Sequence, residues 1–129
     1  MSHPVVHWEI GGRDAAMLRE FYHKAFGWEM GDAGPNYTLV TPADGGLGGG
    51  IMRLPEGVAP YVTVYVQVDD LDGALTEIRH LGGETVVPPT AIDESSSFAM
   101  FADPEGHVVG LLRAAGPIGE PAGQGGSGS

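Results

Sequence analysis

Residues 61–68 read YVTVYVQV, with valine at 62, 64, 66 and 68 and Tyr61, Thr63, Tyr65 and Gln67 between them. Alternate residues of a strand point to opposite faces. The pattern predicts a strand with a valine face packed on the core and a second face that is polar and aromatic. An apolar stripe at helical spacing follows: Leu71, Ala74, Leu75, Ile78 and Leu81. Asp70 stands where an N-cap belongs and Gly82-Gly83 where the helix stops. Three further strands are predicted at about 84–87, 98–102 and 108–113, with DPEG as the turn between the last two.

The first half of the chain carries the same pattern. VVHWEIG opens it as a strand. A helix is predicted from about Asp14 to Ala25, with Leu18, Phe21, Tyr22 and Ala25 at helical spacing and Gly27 beyond its end. Short strands follow at about 28–31, 37–41 and 49–54, separated by turn-forming residues such as PADGG. Each half is therefore β-α-β-β-β, and PEGVAP (55–60) links them. His7 precedes Asp14 by the same seven residues that separate Thr63 from Asp70. That register matches Val6, Trp8 and Ile10 with the valine face, and His7 and Glu9 with Thr63 and Tyr65. The fold class is α+β: two βαβββ modules, about 4–54 and 61–113, forming curled mixed sheets. If the sheets curl towards each other, the two polar faces line one concave cavity.

The chain has 129 residues, 42% of them hydrophobic, which suits a single domain of 1–115 with a true core. GPIGEPAGQGGSGS, from Gly116, has almost nothing to bury and reads as a flexible tail. Seventeen acidic residues against six basic give a net charge of −11, which repels nucleic-acid phosphates and attracts cations. There is no cysteine, hence no disulfide framework and no thiolate chemistry. No apolar run reaches membrane-spanning length and MSHPVVHWEI does not read as a secretory leader, so the expected location is cytoplasmic.

HWEIGGRDAAMLREFYHKAFGW (7–28), VYVQVDDLDGALTEIRHLGG (64–83) and FADPEGHVVGLL (101–112) resemble the vicinal oxygen chelate superfamily, which includes glyoxalase I, extradiol dioxygenases and the fosfomycin- and bleomycin-resistance proteins. The resemblance covers nearly all of residues 4–113. It implies two βαβββ modules with concave ligand faces, and a homodimer. It also implies a metal site built from first-strand histidines and last-strand carboxylates. His7 stands at the first histidine position. Thr63, a poor metal ligand, stands at the second, and Gly110 stands at the second-module carboxylate position. GGGIMR offers no carboxylate in the first module. A stable divalent site needs several convergent donors. No cofactor is expected, and a divalent metal would need substrate or a second chain to complete its ligands.

The expected ligand-binding residues are His7, Glu9, Thr63, Tyr65, Gln67 and Met52, with Tyr61 at the strand edge. His7 and Glu9 share a face and are also the candidates for acid–base work. Trp8 belongs on the helix side, Trp28 suits either core or pocket, and Met100, like Met52, suits either a pocket wall or the core. His107 is a turn residue, and His3, His23 and His80 lie on the surface. GLGGG lacks the lysine and helix of a phosphate loop and instead permits close backbone approach. The expected function is metal-free binding of an organic ligand, cationic or aromatic, as in the drug-sequestering members. The rival is a glyoxalase-like lyase or isomerase, or a dioxygenase-related enzyme, working through His7 and Glu9. A third reading, a dimeric interaction module without ligand, is opposed if a shaped pocket surrounds these residues.

Overall fold

Asp14 and Asp70 start the two helices as expected. The Asp14 carboxylate accepts from the Met17 amide at 3.0 Å and that of Asp70 from the Gly73 amide at 3.1 Å, each satisfying a donor that the first turn leaves open. A computed structural model of the chain describes residues 2–114; the tail expected at 116–129 lies outside them. The elements are β1 (Val5–Gly12), α1 (Ala15–Phe26), β2 (Glu29–Asp32), β3 (Tyr37–Thr41), β4 (Gly49–Arg53), β5 (Tyr61–Gln67), α2 (Leu71–His80), β6 (Glu84–Ala91), β7 (Ser97–Ala102) and β8 (Val108–Arg113). Gly27 closes α1 at φ 71°, a left-handed conformation that suits glycine. Replacing Asp70 by alanine is expected to cost about 1 kcal/mol, read as a lowered Tm, whereas Asp70→Asn keeps the cap.

Two units are distinguished. One is His7–Thr63; the other runs from Val64 and includes the residues up to Val6. In the first, the strand order is β2-β3-β4-β1, with β1 parallel to β4 and the outer pairs antiparallel. In the second, the order is β5-β8-β7-β6, with β5 parallel to β8. The N-terminus joins this second unit, where the Gln67 amide donates to the Pro4 carbonyl at 2.9 Å. The two βαβββ modules are thus present, each a mixed sheet with one helix.

The second unit's core is Val68, Leu71, Leu75, Ala99 and Leu111, with Val66, Ala74, Ile78 and Phe101 packed around it. This corrects the expected core face of β5. Val62 is 74% exposed and Val64 is also exposed, while Thr63 and Tyr65 are only 7% and 8% exposed. The reason is positional: α2 begins just after β5, so its stripe gathers the valines at the end of that strand and leaves those at its start. Leu81, expected in the buried stripe, is exposed at the C-cap of α2. β6 is longer than expected and contains Pro88 and Pro89, which an outermost, bulged strand tolerates because their missing N–H groups break no ladder.

In the first unit Ile51, Val40, Leu54 and Thr38 are buried. No residue of α1 is. It meets the sheet through Leu18, which lies against Gly12, and through aromatic rings: Tyr22 stacks on Trp28 at 5.2 Å, and Trp28 meets Trp8 at 4.9 Å. Trp8 therefore lies on the helix side, as predicted, while Phe21 stays largely exposed.

Candidate functional site

β1 brings His7 and Glu9 to one face, two residues apart. They are 7% and 6% exposed, among the most buried polar residues of the chain. A buried carboxylate needs hydrogen-bond partners, and two tyrosines supply them. Tyr37, the first residue of β3, donates to Glu9 Oε1 at 3.0 Å, and Tyr61, the first of β5, donates to Oε2 at 2.5 Å. The Tyr37 oxygen also lies 2.9 Å from His7 Nε2. A phenol has one proton. With that proton on Glu9, Tyr37 accepts from His7, which places the His7 proton on Nε2. The result is a chain of four groups, His7–Tyr37–Glu9–Tyr61, all within His7–Thr63.

The tyrosines reach Glu9 because the neighbouring strands carry glycine where a side chain would collide. A Cβ on Gly50 would fall on the Tyr37 hydroxyl, and one on Gly11 would come within 2.6 Å of the Tyr61 ring. Gly50 pairs directly with Glu9 across β1 and β4. The GLGGG segment thus serves close approach, as expected. Burial lowers the His7 pKa from 6.5 to about 4, so the imidazole is neutral at pH 7. Burial and the Glu9 carboxylate together push the Tyr61 phenol well above its ordinary range.

Among the expected residues, His7 and Glu9 are brought together. Thr63 is buried two residues beyond Tyr61, and Met52 is half-buried opposite Tyr37 in the β3–β4 register. Tyr65 and Gln67 belong to the second unit, where the Tyr65 ring lies over Gly110, its partner in the β5–β8 register. Tyr37 was not foreseen. Its one sequence signal is a tyrosine opening a strand after a GPN turn, in a module whose later strand is all glycine at its start. His107 is a turn residue, bonded to Asp103 at 3.0 Å. A groove of about 630 Å³ with Tyr37 in its lining lies between α1 and the β2–β3 hairpin; Arg19 and Asp32 pair there at 2.8 Å. None of the expected ligand residues lines it.

The donor set does not fit the resident metal that the fold suggests. His7 Nε2 and both Glu9 oxygens already face tyrosine hydroxyls. The space at Gly110, where a carboxylate would be needed, holds an aromatic ring. Among the described residues no three His, Cys, Asp or Glu side chains converge.

The family model for the Glyoxalase/Bleomycin resistance protein/Dioxygenase superfamily matches residues 5–111. The protein named "Putative glyoxylase CFP32" of Mycobacterium bovis is 30% identical over 115 residues, a match covering 82% of this chain and 44% of that protein. The chain therefore spans about half the length of the curated relatives it matches. A superfamily member from Vibrio splendidus superposes with a TM-score of 0.61 at 16% identity, covering 87% of this chain and 99% of that one. Methylmalonyl-CoA epimerase from Mycobacterium tuberculosis gives 0.61 at 16% identity, covering 85% and 87%.

Proposed function

The chain belongs to the glyoxalase/bleomycin resistance protein/dioxygenase superfamily, and we propose that it is a metal-free member that binds a small organic ligand, cationic or aromatic, at the His7–Glu9 face of its first module. The observation that carries this is the four-group chain itself. A buried His and Glu held by two tyrosines form a polar, aromatic recognition surface rather than an open set of metal donors. Thr63 and Met52 are the further lining residues proposed on this module. Tyr65 and Gln67 are proposed to line the second module's own ligand face. The net charge of −11 favours a cation over an anion.

The test is calorimetric titration of chelator-treated protein with small aromatic cations, neutral aromatics and carboxylates. Cations are expected to bind without added metal, and Glu9→Gln to weaken them by roughly tenfold, as for loss of one charge-assisted contact. Binding that appears only with Mn²⁺, Zn²⁺ or Ni²⁺ would replace this reading.

One observation favours acid–base catalysis as a second reading. The Tyr37 hydroxyl joins the neutral His7 to Glu9, so a proton has a continuous path between a base and a carboxylate. The structural likeness to an epimerase concerns the fold. Turnover of a carbon acid that is lost in Tyr37→Phe would select this reading.

The exposed apolar side chains Val62, Phe21 and Phe26 support a homodimer in solution. No helix of the described residues is long and apolar enough to cross a membrane, and a cytoplasmic location remains part of the proposal.

A further inference from the structure

The groove beside α1, at about 630 Å³, has the size of a small-molecule site, and all of its lining falls within His7–Thr63. α1 and β2 run alongside each other in opposite senses. His23 Nδ1 meets the Trp28 carbonyl at 2.7 Å, and one turn earlier Arg19 pairs with Asp32 at 2.8 Å. Beyond that pair the walls are Ala15 on the helix and Gly34 to Asn36 on the hairpin. Arg53, at the end of β4, joins them there, its amide donating to the Asn36 carbonyl at 2.8 Å. From Ala15 to His23 the helix rises about 12 Å.

The two ends differ in charge. Glu20, Glu29 and His23 line one. A carbonyl only accepts, so His23 Nδ1 carries the proton and Nε2 of the neutral ring is an acceptor. Arg53 lines the other end. Of the six basic side chains, Arg13, Arg19 and Lys24 meet carboxylates, Arg79 meets a threonine hydroxyl and Arg113 a carbonyl. The Arg53 guanidinium has no such partner among the described residues, in a chain with 17 acidic residues.

We propose that this groove is a second binding site, which takes a short zwitterionic peptide of about three residues, with its carboxylate on Arg53 and its ammonium among Glu29, Glu20 and His23. Three extended residues reach about 10 Å, close to the length of the groove. A guanidinium offers a carboxylate two parallel N–H donors. A simple anion is opposed by the net charge of −11, and a simple cation leaves Arg53 unmatched. A zwitterion answers both ends. Tyr37 lines the groove and also joins His7 to Glu9, so the variants that test the site are placed at the charged ends, away from that residue.

Triglycine, triglycinamide and N-acetyl-triglycine are titrated into wild type, Arg53→Gln and Glu29→Gln, following the Gly34 and Glu29 amide resonances. Both side chains are exposed, and both variants are expected to unfold as wild type does. Triglycine is expected to bind wild type roughly fivefold more tightly than either blocked form, the scale of one charge-assisted contact at an exposed site. Arg53→Gln should weaken triglycine by about that factor and leave triglycinamide unchanged. Glu29→Gln should weaken triglycine and leave N-acetyl-triglycine unchanged. Equal binding of the three probes by wild type overturns the zwitterion chemistry. Triglycine binding that is indifferent to Arg53→Gln overturns the carboxylate end. No response of either amide to any probe overturns the site. A response confined to the Gly11 and Gly50 amides would put the peptide on the His7–Glu9 face; it overturns the groove and leaves the binding role proposed above standing.

Discussion

Lowering the pH from 7 to 4 is expected to remove about 3 kcal/mol of stability through His7 alone, since one pKa unit is worth about 1.4 kcal/mol and burial takes this imidazole from 6.5 to about 4. Above pH 6.5 the ring is neutral in the folded and unfolded chains, and it contributes no pH dependence. Between 6.5 and about 4 the unfolded chain binds a proton that the folded chain refuses. Unfolding is favoured increasingly across that window, and the loss levels off below it. Asp93 and Asp103, whose carboxyls are held low chiefly by hydrogen bonds from Ser95 and His107 respectively, add acid lability common to wild type and variant. The measurement is therefore a difference: denaturant unfolding at several pH values for wild type and His7→Gln. The two stability curves should converge as the pH falls through the window. Parallel curves would mean that His7 titrates normally and is not enclosed as described.

Gly110→Ala is expected to cost about 2 kcal/mol and roughly 10 °C of Tm, the scale of an overpacked core position in a domain of this size. The Tyr65 ring lies directly over Gly110, and a single added carbon would overlap it. Tyr65 is 8% exposed, so the ring has little room to retreat. Gly110→Glu should be at least as damaging and should gain no metal affinity, because the ring and not merely a missing carboxylate fills the place. A double-mutant cycle with Tyr65→Ser checks the cause: the cost of Gly110→Ala should shrink when the ring is gone. Additive costs would put the strain elsewhere.

The repeat, the caps at Asp14 and Asp70 and most element boundaries could be read from sequence because each is a local signal. Strands containing prolines could not, since whether Pro88 and Pro89 are tolerated depends on β6 lying outermost. Alternation told which residues of β5 share a face, but not which face is covered. Val62 and Val64, expected in the core, are exposed for that reason. The polar pair His7 and Glu9 was visible as two residues on one strand. Its tyrosine partners lie 28 and 52 residues away from Glu9, and only strand register brings them there. Close backbone approach at Gly50 was legible in the GLGGG run, but which ring approaches it, and the matching role of Gly11, came only from the rings resting on them.

Both tryptophans of the chain, Trp8 and Trp28, lie in the first unit with their rings in contact. The protein's indole emission therefore reports on one module only, and the adjoining Tyr22 ring makes that signal sensitive to the seating of α1. Melting of the second module is optically dark in this channel. Agreement between the fluorescence transition and the far-ultraviolet dichroism of the whole chain then becomes a direct readout of whether the two halves unfold as one cooperative body.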